Sequence, residues 1–148
     1  MSVQNEIETT NTTRTTVYLA VDVFPNPGKA GWALVWRDET GNVRELTGVT
    51  WKCSNMRAEL IAAMTALREL PTRGPTTIVA PSQYLLNYET ALPGWKRRCW
   101  RGSTGKTVKN ADEWFELDKL ACRRDVEFQH GDDDPHSLAG YARQRARK

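Results

Sequence analysis

The chain has 148 residues, 39% hydrophobic and 26% charged, with a formal net charge of +3. That composition suits one globular domain and excludes a wholly disordered chain, and no apolar run reaches the roughly 18 residues of a membrane span. The charge is too mild to name a partner, so its distribution has to be read instead.

Residues 1–14 are polar and rich in Thr and Asn, with neither a basic n-region nor an apolar h-region. They read as a flexible arm, not a secretory leader, ahead of one domain over 15–148. Three cysteines, Cys53, Cys99 and Cys122, form no C-x-x-C pair. An odd thiol count argues against a disulfide framework or a thiolate zinc site, and for a reducing, cytoplasmic setting.

Val17 to Val23 is β-rich and almost wholly apolar, which predicts a central strand buried on both faces. Pro25 to Gly28 is a turn, Gly31 to Trp36 a second strand, and Asp38 to Asn42 a hairpin turn into a third strand, Val43 to Trp51. Leu60, Ile61, Met64, Leu67 and Leu70 recur at helical spacing and predict a helix from Asn55 to Leu70, capped by Ser54 or Asn55 and stopped by Pro71. Thr76 to Ala80 is a short fourth strand, and Ser82 to Glu89 a second helix. A basic segment follows, Trp95 to Lys109. Ala111 to Cys122 is a third helix, Asp125 to Phe128 a fifth strand, and Pro135 to Arg147 a last helix. The order β-β-β-α-β-α-α-β-α predicts an α/β fold with a five-stranded mixed sheet and helices on both faces.

Two carboxylates draw notice. Asp22 interrupts an apolar strand, where an unpaired buried acid is costly; it is either bonded to backbone or Lys, or a metal ligand. Glu59 lies in the first turns of the first helix, where it could simply satisfy the helix dipole. Together the two could hold one Mg²⁺ with waters. The basic segment carries six positive charges and no acid, with Trp95 and Trp100 interleaved. Such a pattern suits phosphates and the faces of sugars or bases. His130 to His136 brackets three acids but lacks a regular ligand spacing.

These motifs resemble type 1 ribonuclease H over about residues 15–147. Asn26-Pro27-Gly28 with Gly31-Trp-Ala is similar to that family's first hairpin, and Ser54 to Ala63 to its first helix. Ser82-Gln-Tyr84 is similar to its D-S-Q-Y motif without the Asp. Trp95 to Trp100, then Lys106 to Trp114, resembles its basic protrusion and the helix after it. The resemblance implies a ribonuclease H-like fold and four carboxylates, Asp-Glu-Asp-Asp, that hold two Mg²⁺ ions roughly 3.5–4 Å apart. Asp22 matches the first and Glu59 the second. Pro81 stands where the third is expected and Gly140 where the fourth is. Asp132 falls at the family's mobile histidine, with His130 two residues earlier. Asp132, Asp133 or Asp134 could swing in as substitutes, but a loop holds a ligand poorly.

The expectation is therefore a degenerate member, leaning away from an enzyme. No cofactor is required, and Mg²⁺ or Mn²⁺ would find only a remnant site at Asp22 and Glu59. The resemblance further implies that Asn26, Ser54, Asn55, Arg57 and Gln83 face the strand bearing 2′-hydroxyls. It sets Trp95, Lys96, Arg97, Arg98, Trp100, Arg101, Lys106 and Lys109 against the DNA strand; Met56 departs from the family's usual Asn. Three functions compete: a module that binds RNA/DNA hybrid or another A-like duplex without efficient cleavage, a weak metal-dependent hybrid nuclease, and a structural subunit with a protein partner. None involves a membrane.

Overall fold

The computed structural model describes residues 14–70, 74–102, 104–131 and 136–147. Most of the expected arm and the Asp132–Asp134 substitutes lie outside them. Within them a five-stranded sheet has the order β3-β2-β1-β4-β5. Strands β1 (Thr15–Phe24), β2 (Gly28–Arg37) and β3 (Val43–Cys53) form an antiparallel meander. Strands β4 (Thr76–Ala80) and β5 (Val126–His130) extend it in parallel from β1. The expected mixed sheet is thus the fold that forms.

Helix α1 (Asn55–Glu69) covers one face of the sheet. Its Leu60, Ala63, Met64 and Leu67 pack with Val17, Leu19, Leu34 and Ile78 in the main core. Helix α4 (Ala111–Ala121) joins them through Trp114 and Leu117, both fully buried. On the opposite face α5 (Leu138–Ala146) sets Ala142 and Ala146 on Ala20, Ala33 and Val35. Small residues on both sides let the helix lie close. At Gly31 a Cβ would come within 2.3 Å of the Ala146 carbonyl oxygen, so only glycine fits under the end of α5.

Four local expectations change. Strand β1 is not buried along its whole length: Val17, Leu19 and Ala20 are buried, but Asp22 and Phe24 are exposed. The two share the sheet face of Ala20, which α5 stops covering at Ala146, while Val21 and Val23 on the α1 face stay half-buried. The helix expected over Ser82–Glu89 is a bend at 81–83, a 3₁₀ turn (Tyr84–Leu86) and a four-residue helix, α2 (Asn87–Thr90). Here the Ser82 hydroxyl accepts the Tyr84 N–H at 3.2 Å, a local bond that competes with helix initiation. The basic segment holds a further short helix, α3 (Leu92–Arg97), with Pro93 in its first turn. Arg14, expected at the end of the arm, is tied to the sheet edge: it donates to the Thr76 carbonyl at 3.1 Å and pairs with Asp125. Among the described residues no helix is long and apolar enough to cross a membrane.

Candidate nucleic-acid interface

Glu59 is the most constrained of the candidate residues. It sits in the second turn of α1 and is 3% exposed. The Ser82 hydroxyl donates to its carboxylate, 2.9 Å from Oε2 and 3.1 Å from Oε1. Burial pushes the Glu59 carboxyl up to about 7, and the Ser82 hydrogen bond only partly offsets that. This bond also ties the loop after β4 to the start of α1, which brings Pro81, Ser82 and Gln83 to that side of the sheet.

The parallel register decides which residue of β1 faces that loop. Thr15 pairs with Thr76 and Tyr18 with Val79. The same offset, continued, sets Leu19 beside Ala80 and Ala20 beside Pro81. A pocket of about 60 Å³ lies at this corner, lined by Leu19, Val79, Ala80, Pro81, Gly131, Ala139 and Arg143. Its walls carry no carboxylate, and its one charged side chain is a cation. Asp22 lies two residues further along β1, about 6–7 Å away at strand rise. It lines a different pocket, with Ala146 and Arg147 from the far end of α5. Asp22 and Glu59 are therefore not brought into a common site. In β1, Ala20 and not Asp22 stands beside Pro81. Gly140 is buried near the start of α5, next to Ala139 of the corner.

A divalent ion wants a cluster of carboxylate and water oxygens. The corner does not supply one. Among the described residues no group of three or more His, Cys, Asp or Glu is placed to hold a metal ion, His130 and His136 included. The described residues do not fit a two-metal centre.

The start of α1 keeps its polar character. The Ser54 hydroxyl accepts the Arg57 N–H at 3.2 Å, capping the helix. Asn26, at the β1–β2 turn, accepts the Asn55 N–H at 3.2 Å and holds that turn against the helix end. Asn55 and Gln83 are exposed. Arg57 is committed elsewhere: its Nε donates to Glu113 of α4 at 2.8 Å, and that hydrogen bond holds the guanidinium pKa above its ordinary value.

The basic protrusion is built on an aromatic spine. Trp95 lies 5.5 Å from Trp114 and 6.4 Å from Trp100, and Trp100 meets Phe115 edge-on at 5.9 Å. Both Trp95 and Trp100 are half-buried, so their first role is to mount the segment on α4 and not to present open faces to sugars. Cys99 and Trp100 reverse the chain with left-handed φ of 55° and 65°. Arg97, Arg98, Arg101, Lys106 and Lys109 are exposed around the spine. Lys96 differs, because its ammonium lies 3.0 Å from Asp118.

An α/β sheet of this order, with a polar helix start and a cationic finger beside it, defines a domain of the ribonuclease H-like class. A model of the RNase H family matches residues 12–132. A ribonuclease H of Jannaschia sp. (strain CCS1) is 39% identical over 109 residues, covering 70% of this chain and 69% of that protein. A ribonuclease H of Methylorubrum extorquens (strain PA1) is 42% identical over 116 residues, 78% of this chain but only half of that protein. The fold is similar to part of the foamy viral protease-reverse transcriptase solved with RNA/DNA hybrid, at TM-score 0.72 and 18% identity, over 89% of this chain and 20% of that one. The chain belongs to the RNase H family.

Sequence reasoning missed Ala20, because Asp22 is the one acid in its strand and drew the assignment. It also missed the pairing of Ser82 with Glu59, for which the Ser-Gln-Tyr motif was the available signal.

Proposed function

We propose that this protein binds RNA/DNA hybrid, or another A-like duplex, and does not cleave it efficiently. The observation that carries the reading is the corner beside Ala20, Pro81 and Gly140, where the described residues supply no carboxylate. Glu59 alone of the four positions keeps its carboxylate, and Ser82 occupies it.

The binding surface has two parts. Asn55 and Gln83 suit the wide minor groove of an A-like duplex, where 2′-hydroxyls are the distinguishing groups. Arg97, Arg98, Arg101, Lys106 and Lys109 suit the opposite strand's phosphates by charge neutralisation. Asn26 and Ser54 support this surface by holding the start of α1. Such contacts give little sequence preference. Three free cysteines, two of them exposed, suit a reducing compartment such as the cytoplasm.

The name ribonuclease H carried by both relatives favours a second reading, a weak metal-dependent endoribonuclease. One experiment separates the two. The protein is incubated with labelled RNA/DNA hybrid and Mg²⁺ or Mn²⁺, and cutting and retention are measured together. Retention without cutting is expected. Robust cleavage supports the nuclease. Neither retention nor cutting removes both and leaves a role as a subunit with a protein partner.

A further inference from the structure

We propose that the cross-strand row Phe24–Lys29–Trp51 is a stacking platform for unpaired nucleotides of a strand running on from the bound duplex. The proposal rests on the hybrid-binding reading and extends it to a surface that reading does not use.

Phe24 is 83% exposed and Trp51 67% exposed, the two most exposed of the large hydrophobic residues described. They lie on β1 and β3, the strands flanking β2, at one end of the sheet. Phe24 of β1 pairs with Lys29 of β2, and the Lys29 ammonium stands 5.6 Å from the centroid of the Trp51 ring in β3. The next row along is Asp22, Gly31 and Val49, again one residue from each strand, with Val49 45% exposed. The Ala146 carbonyl closes on Gly31, and beside that contact a trough of about 140 Å³ is bordered by Asp22, Phe24, Lys29 and Val49. Helix α5 ends at Ala146, and Arg147 forms the trough's far wall. No described element covers this end of the sheet face.

The chemistry selects nucleotides over an apolar peptide. The two aromatic rings are separated by a cation, and a second cation borders the trough. Bases have π-faces that stack on exposed aromatic rings whatever their sequence, while Lys and Arg meet the connecting phosphates. Asp22, the one acid of the trough, is an acceptor for an exocyclic amino group. Position agrees with chemistry. Phe24 and Lys29 flank the turn whose Asn26 is bonded to Asn55, so a strand leaving the start of α1 meets the platform within a few residues' width.

The test uses the full chain and two probes: a blunt RNA/DNA hybrid of about a dozen base pairs, and the same hybrid with an oligouridine tail of about eight nucleotides on the RNA strand, at either end, a length within the usual range of single-strand sites. Anisotropy titrations should show the tailed probe bound about tenfold more tightly, as expected for one or two stacked bases. The double variant Phe24→Ala, Trp51→Ala should bind both probes as wild type binds the blunt one. Both side chains are exposed, so its fold should hold, and Trp51→Phe should restore part of the gain. Equal binding of both probes by wild type overturns the proposal, as does a double variant that weakens the blunt probe as much as the tailed one. Self-association in sedimentation that the double variant abolishes also overturns it, assigning the face to a second copy. If blunt hybrid is not bound, the hybrid reading fails separately; free oligouridine held by wild type and lost in the double variant would still support the platform.

Discussion

The Ser82 hydroxyl stands within 3.1 Å of both carboxylate oxygens of Glu59, so a single proton donor serves an acid otherwise withdrawn from water. The pair joins the loop after β4 to the start of α1. It also makes Glu59 a structural group with an unusual titration.

That titration predicts a pH dependence of stability. Below the ordinary value of 4.5 the Glu59 carboxyl is protonated in folded and unfolded chains alike. Between 4.5 and about 7 the unfolded chain releases a proton that the folded chain keeps, so stability falls as pH rises, and the loss is complete above about 7. A shift of this size corresponds to about 3 kcal/mol. Glu59→Gln keeps the packing and removes the charge. Urea unfolding across this range should show a flatter profile for the variant and greater stability than wild type on the alkaline side. Parallel profiles would contradict the assignment.

Metal binding should follow the corner and not Asp22. Wild type should show no saturable Mn²⁺ binding in calorimetry, and Asp22→Asn should change neither metal binding nor hybrid cleavage. Installing the missing acids together, Ala20→Asp, Pro81→Asp and Gly140→Asp, should create measurable Mn²⁺ affinity, with circular dichroism reporting that the buried substitutions have not unfolded the chain. Mg²⁺-dependent cleavage by wild type that Asp22→Asn abolishes would return Asp22 to the site.

Salt dependence should separate the cations of the protrusion. Each phosphate neutralised on a duplex contributes about −0.9 to the slope of log K against log salt. Replacing Arg97, Arg98 and Arg101 together by alanine should flatten the slope by roughly 2–3 units on every sequence tested. Lys96→Ala should move it least, because Asp118 already holds that ammonium. An unchanged slope in the triple variant would remove the protrusion from the interface.

Discrimination between strands should depend on the start of α1. Asn55→Ala and Gln83→Ala should narrow the preference for RNA/DNA hybrid over DNA duplex while leaving the salt slope nearly unchanged. Competition binding with the two duplexes reads both quantities at once. A uniform loss on hybrid and duplex would mean that these residues contact backbone without sensing 2′-hydroxyls.

Much of the architecture was legible from local pattern. β-rich apolar runs and turn residues marked the meander, and Leu60, Met64 and Leu67 marked the buried stripe of α1. What escaped depends on partners distant in sequence. The register of β1 against β4 sets Ala20 beside Pro81, and no spacing within β1 reveals it. Asp22 looked interior because its neighbours are apolar, yet it lies on the sheet face that α5 leaves open past Ala146. Trp95 and Trp100 looked like ligand-facing rings in a basic run, but their companions, Trp114 and Phe115, belong to a helix that begins only at Ala111. The platform residues Phe24 and Trp51 sit near strand ends, and only Lys29, paired with Phe24 and standing over the Trp51 ring, brings them together.

The left-handed turn at Cys99 and Trp100 has a bearing on how fast and how tightly the finger can act. Two consecutive non-glycine residues in that conformation are unfavourable by about 1–2 kcal/mol each, so the shape persists only because the ring contacts and the Val108 N–H bond to the Trp100 carbonyl at 2.9 Å hold it. On the hybrid-binding reading, a finger braced in this way meets its ligand already shaped. Its backbone loses little freedom on contact and the encounter needs no folding step, so association should proceed at the pace set by electrostatic attraction.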